Sequence, residues 1–80
     1  MSVARPECKW RIGRVTASVW RQEAEGNRVF RTVSVQRSYK DGDETKYTDS
    51  FSLGDLANVQ RVLLKAQDYI EAKEAKLKTE

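Results

Sequence analysis

The sequence predicts an α+β domain: a curved antiparallel sheet of three to four strands, then one C-terminal helix packed on one face, in a dimer. Three observations predict it. Apolar and polar residues alternate with period two from about Lys9 to Lys40. Turn-forming residues follow at Glu23-Ala24-Glu25-Gly26-Asn27 and Asp41-Gly42-Asp43. After Ser52 the apolar spacing changes to that of a helix.

Residues 1–9 contain Pro6 and no apolar pattern, and read as a flexible N-terminal arm ahead of a single domain at 10–77. The first strand runs from about Trp10 to Arg21, with a bulge or bend at Gly13. The second runs from Arg28 to Lys40. Side chains alternate across a strand, so Val15, Ala17, Val19, Val29, Val33 and Val35 make one apolar face. Pairing Val15 with Val35, Ala17 with Val33 and Trp20 with Phe30 sets like against like. A one-residue slip would oppose apolar to polar at every rung. A third strand is expected from Glu44 to Leu53, with Tyr47, Phe51 and Leu53 continuing the odd-numbered apolar face.

Ser52 and Asp55 have the spacing of a capping box, with Asp in place of the usual Glu. The helix is expected from Asp55 to Lys76. Leu56, Val59, Val62, Leu63, Ala66, Tyr69 and Ile70 form one stripe, with Leu77 on its extension. Lys73, Lys76 and Lys78 near its end complement the helix dipole. The stripe is wider than one small sheet covers, and Leu64 lies outside it. That surplus of apolar surface predicts a homodimer.

Composition bounds the function. The 80 residues are 39% hydrophobic and 34% charged, which suits one small globular domain with little to bury. No apolar run approaches the roughly 20 residues of a membrane span, and no signal-peptide stretch follows Met1, so no membrane association is expected. One cysteine, Cys8, forms no internal disulfide and fits a reducing, cytoplasmic setting, nucleoid-associated in a prokaryote. With no histidine, both a zinc site and the usual proton shuttle at neutral pH are missing. Asp41, Asp43 and Glu44 cluster on an exposed turn as solvated charges. Neither enzymatic activity, nor a cofactor, metal or small-molecule substrate, is expected.

The net charge of +3 is unevenly spread. Residues 1–37 hold eight basic and three acidic side chains, and residues 38–80 hold seven and nine. The basic half is almost all arginine, which binds phosphate with two donors and stacks on bases. The even-numbered strand face carries Arg14, Thr16, Ser18, Trp20, Arg28, Phe30, Thr32, Ser34 and Gln36. Trp20 and Phe30 could brace the hairpin, line a dimer interface or stack bases. The neighbouring Arg14, Arg28 and Gln36 favour stacking, because interface cores lose charge. Arg31 and Arg37 fall on the helix side, where their stems would cross the sheet rim with their heads in water. A small protein-interaction module using the same open face is the alternative.

Ile12-Gly13-Arg14, an alternating strand, a basic hairpin, an aromatic-ended strand and Ser52-Leu53 leading into a helix carry a resemblance. Over residues 10–72 the chain resembles the single-stranded-DNA-binding domain of positive cofactor four, a transcriptional coactivator family. The resemblance implies a homodimer whose curved sheets bind single-stranded DNA with little sequence preference; read from its residues the chain is expected to bind single-stranded DNA or RNA, as an accessory factor in transcription, replication or repair. Arg14 would match a DNA-contacting lysine. Gln36 or Arg37 would match an arginine, Tyr39 an aromatic at the strand end, and Lys46 a lysine after the following turn. The first hairpin turn is longer here, so the family's exposed phenylalanine has Trp20 or Phe30 as its substitute. The expected nucleic-acid-binding set is therefore Arg14, Thr16, Trp20, Arg28, Phe30, Gln36, Arg37, Tyr39 and Lys46.

Overall fold

A computed structural model describes residues 5–75. Four strands, β1 (Cys8–Ile12), β2 (Val15–Ala24), β3 (Arg28–Asp41) and β4 (Glu44–Thr48), form one antiparallel sheet in sequence order. A short 3₁₀ turn, Leu53–Asp55, leads into helix α1, Leu56–Ala75. The expected sheet and helix are both present. Lys76, Leu77 and Lys78, expected to end or extend the helix, lie outside the described residues.

The first expected strand is in fact two. Gly13 and Arg14 form a two-residue turn, and Ile12 pairs with Val15. Gly13 sits at φ 62°, a conformation L side chains avoid. A Cβ there would also stand 2.9 Å from the Asn58 Nδ2. The strand therefore reverses at Gly13 rather than bulging. The arm is correspondingly shorter than expected: β1 begins at Cys8, and the Glu7 amide already donates to Val19 O at 2.7 Å.

The β2–β3 register differs from the expected one by two residues. Ala17 pairs with Val35, Val19 with Val33, Trp20 with Thr32 and Gln22 with Phe30. An even shift keeps every side chain on its expected face. β2 reaches to Ala24, past the expected Arg21, because the turn is tighter, with Gly26 and Asn27 at positive φ. Trp20 and Phe30 thus sit on neighbouring rungs instead of facing one another.

β4 stops at Thr48, short of the expected Leu53. Its register pairs Ser38 with Tyr47 and Tyr39 with Lys46. Tyr47 therefore shares a face with Ser38, opposite to expectation, and Leu53 is 86% exposed at the helix entry. The Asp41–Glu44 rung closes a two-residue turn, which swaps face for number parity between the strands.

Asp55 reaches back as the capping-box spacing implies. Its Oδ2 accepts from the Ser52 amide at 3.1 Å and the Ser52 hydroxyl at 2.9 Å. Those two bonds, and then the nearby Arg37 charge, hold the Asp55 carboxyl below the ordinary carboxylate range. From this start α1 runs antiparallel to β3, lying over β2 and β1 and touching β3 less. Val15 and Ala17 meet Val62 in the core, flanked by Ile12, Val35 and Val59, and Val19 and Ala66 are buried as well.

Tyr69 packs edge-on against Trp10, with ring centroids 5.6 Å apart, and Asn58 lies beside Gly13. That flank of α1 faces β1. Leu56 and Leu63 lie on the other flank, above β3, and are each 40% exposed. Val29 and Val33 stand exposed on the same side of the sheet. The result is a slab of 50 × 34 × 15 Å with a radius of gyration of 15.0 Å. A compact chain of this length would have a radius near 11 Å.

Candidate nucleic-acid interface

The sheet face away from α1 is uncovered. The pairing places Lys9 and Arg11 of β1 on it, beside Ser18 and Thr16 of β2. β3 adds Arg28, Phe30, Thr32, Ser34, Gln36, Ser38 and Lys40, and β4 adds Thr45 and Tyr47. Within the four strands this face holds four basic side chains and no carboxylate. The strand carboxylates, Glu23, Asp41 and Glu44, all point to the helix side.

Where β1 and β4 flank the central hairpin, the face dips into an open depression of about 670 Å³. Lys9 and Arg11 border it on one side, Thr45 and Tyr47 on the other, with Thr16, Ser18, Gln36 and Ser38 along its floor. Arg11 is steadied at the rim, its Nε donating to Gly13 O at 2.9 Å. Tyr47 stands 64% exposed.

Beyond the Cys8–Val19 rung, β2 and β3 continue as a two-stranded arm, and no other strand among the described residues pairs with either edge. Two polar contacts tie its open face together. Trp20 Nε1 donates to Ser34 Oγ at 2.9 Å, and Gln22 Nε2 donates to Thr32 Oγ1 at 3.3 Å. Phe30 is 45% exposed on this face.

Of the nine expected site residues, the structure gathers Thr16, Trp20, Arg28, Phe30 and Gln36 on the open face. Arg14 is separated from them in the β1–β2 turn, where its carbonyl accepts from the Ser38 amide at 3.0 Å. Arg37, Tyr39 and Lys46 lie on the helix side, which corrects their expected place in the site. Arg37 meets Asp55 at 3.1 Å and donates to Ser50 O, so it fastens the start of α1 to the sheet. Lys46 meets Asp41 at 2.9 Å.

Arg31, the other helix-side arginine, is also paired rather than free in water. Its Nε donates to Glu7 at 2.8 Å beside Tyr69. The Arg31 hydrogen bond, then that of Tyr69, lowers the Glu7 carboxyl, while burial and then Glu7 raise the Tyr69 hydroxyl. On the helix side each strand cation, Arg21, Arg31, Arg37 and Lys46, is paired with a carboxylate. On the open side no strand cation meets a carboxylate among the described residues.

Sequence reasoning missed Tyr47 because it set that residue on the apolar face, and missed Lys9 and Arg11 because it gave them no face. A signal for Lys9 and Arg11 was present. Apolar residues occupy even positions at Trp10 and Ile12 but odd ones from Val15 onward. A two-residue hairpin turn produces that switch, whereas a bulge-free strand cannot.

Comparison with protein-family models, curated proteins and solved structures finds no match for this chain.

Proposed function

We propose that the open face binds single-stranded nucleic acid. One observation carries the reading: four cations without a strand carboxylate, interleaved with exposed aromatic rings on one shallow surface. Backbone neutralisation by Lys and Arg together with base stacking on aromatics is how such strands are held without sequence readout. Stacking on the exposed rings needs unpaired bases with free faces, which a duplex does not offer, so single strands are preferred. The resemblance to the positive cofactor four domain points the same way. It suggests service as an accessory factor in transcription, replication or repair, in the cytoplasm or nucleoid. The test is a titration of labelled oligo-dT with duplex DNA as competitor. Binding that weakens with salt and resists duplex at equal nucleotide concentration is expected. Displacement by duplex, or salt-independent binding, would refute the reading.

The functional unit in this reading is a homodimer. Support comes from the apolar flank of α1 at Leu56 and Leu63 beside the bare Val29 and Val33 of β3. A two-fold axis would lay each copy's helix flank on its partner's valines, the self-complementary contact a symmetric dimer needs. Both open faces would stay outside that contact. Sedimentation is expected to give about twice 9.2 kDa, and Leu63→Glu to halve it. A 9.2 kDa parent at micromolar concentration would exclude the dimer. No helix among the described residues is long and apolar enough to cross a membrane.

A further inference from the structure

The open face rests on two supports of unequal stiffness. Its depression lies where β1 and β4 flank the central hairpin, whereas Trp20, Phe30 and Arg28 ride on the two-stranded arm. Two strands alone are marginally stable and twist more than a broad sheet does. A nucleic-acid strand that crosses both supports needs the arm at a fixed angle to the depression.

The helix side carries a brace at that place. Arg31 pairs with Arg21, on the rung between those of Trp20 and Phe30 but on the opposite face. Its Nε donates to Glu7 Oε1 at 2.8 Å and its Nη2 to Glu7 Oε2 at 3.3 Å. Glu7 belongs to the body of the domain, since it directly precedes β1 and its amide donates to Val19 O. The Tyr69 hydroxyl of α1 hydrogen-bonds the same carboxylate, and its ring is held edge-on by Trp10. One carboxylate therefore ties the arm to the start of β1 and to α1. The Arg31 and Glu7 side chains are 12% and 23% exposed, so solvent weakens this pair less than Arg21–Glu23, at 50% and 65%. Arg21 and Glu23 also lie on one strand, and their pair anchors the arm to nothing else.

We propose that Glu7 is a positioning residue for strand binding: by gripping Arg31 on the helix side, it keeps Trp20 and Phe30 in line with the depression while touching no nucleic acid itself. This inference rests on the single-strand reading above. An arm ordered in advance removes its ordering cost from binding. The benefit belongs to strands that lie on both supports and is absent for strands that fit the depression alone. From the Lys9 rung at Ser34 to the Tyr47 rung at Ser38 the depression spans about 14 Å, whereas Arg28 to Lys40 spans about 40 Å.

The test titrates the near-isosteric Glu7→Gln with oligo-dT of about 4 and about 16 nucleotides at fixed low salt, well below the melting midpoint, reading the short oligomer by competition. Removing an acid makes the chain more basic, so long-range electrostatics alone would tighten binding at both lengths. The brace predicts the opposite sign. The long oligomer is expected to bind about threefold to tenfold more weakly, part of what stacking on the arm supplies, and the short one no more weakly than to the parent. Arg31→Gln should also weaken the long oligomer, and the double variant should be no worse than Arg31→Gln, since either change opens the same contact. Long-oligomer affinity equal to or above the parent's in Glu7→Gln would overturn the positioning role and leave the single-strand reading standing. So would an equal loss at both lengths, or losses that add in the double variant. Failure of the parent to bind the long oligomer would remove both readings together.

Discussion

Charge removal on the two faces of the sheet separates the proposed interface from its surroundings. The perturbation is the double variant Lys9→Gln and Arg11→Gln, which keeps side-chain bulk and removes two of the four open-face cations. Each phosphate contact with a single strand contributes about 0.7 to the slope of log affinity against log salt. Four contacts per chain give a slope near 2.8, and two give about 1.4. Between 50 and 200 mM salt the parent should therefore lose about 50-fold in affinity and the double variant only about sevenfold. Fluorescence anisotropy of labelled oligo-dT across that range reads both slopes. The control is Lys46→Gln, whose ammonium lies on the helix side against Asp41. It should leave the slope unchanged. A double variant with the parent slope, or a Lys46→Gln slope that falls by one contact, would mean the strand does not run over the open face.

Three further outcomes follow from particular residues. Phe30→Ala should weaken oligo-dT binding by about 1–3 kcal/mol with the salt slope intact, since stacking releases no counterion; anisotropy at two salt concentrations checks it. Gly13→Ala should cost about 1–2 kcal/mol through its left-handed backbone alone, read as a lower denaturant midpoint, and a paired Asn58→Ala should recover only the share due to the 2.9 Å approach. The Glu7 and Asp55 carboxyls sit below their ordinary 4.5 and 3.8 in the folded chain, so their stabilisation is present at neutral pH and fades as pH falls through those folded values. Thermal melts should drop below about pH 4.5, and Glu7→Gln should shrink that drop; a melting temperature flat with pH into the acid range would contradict it.

Period-two and 3.6-residue patterns are local, so the sheet, the single helix and the Asp55 cap could be read from the chain directly. The apolar set of β2 and β3 was also legible, because an even register error moves partners without moving faces. Turns were the weak point. Whether Gly13 bulges or reverses the chain depends on the φ it adopts and on the room Asn58 leaves it, neither of which a period reveals. That one turn decides the faces of Lys9 and Arg11. The turn after Asp41 decides those of Lys46 and Tyr47 in the same way. Arg31 and Arg37 were placed on the correct side, but their partners Glu7 and Asp55 are 24 and 18 positions away in sequence and become neighbours only through the fold.

The two faces divide the basic residues by whether a carboxylate is within reach. Arg21, Arg31, Arg37 and Lys46 each meet an acid at 3.1 Å or less, all on the helix side. Their charges are spent on joining the first residues, the helix start and the hairpin ends to the sheet. Lys9, Arg11, Arg28 and Lys40 have no such partner among the described residues. Beyond the hydrogen bond from Arg11 to Gly13 O, repulsion and solvation dominate their energetics, so they add little to holding the chain together. A polyanion laid along β2 and β3 would meet all four while disturbing no internal ion pair. Binding therefore need not compete with folding, and salt that strips the strand from the open face should leave the buried contact between Val62 and Val15 untouched.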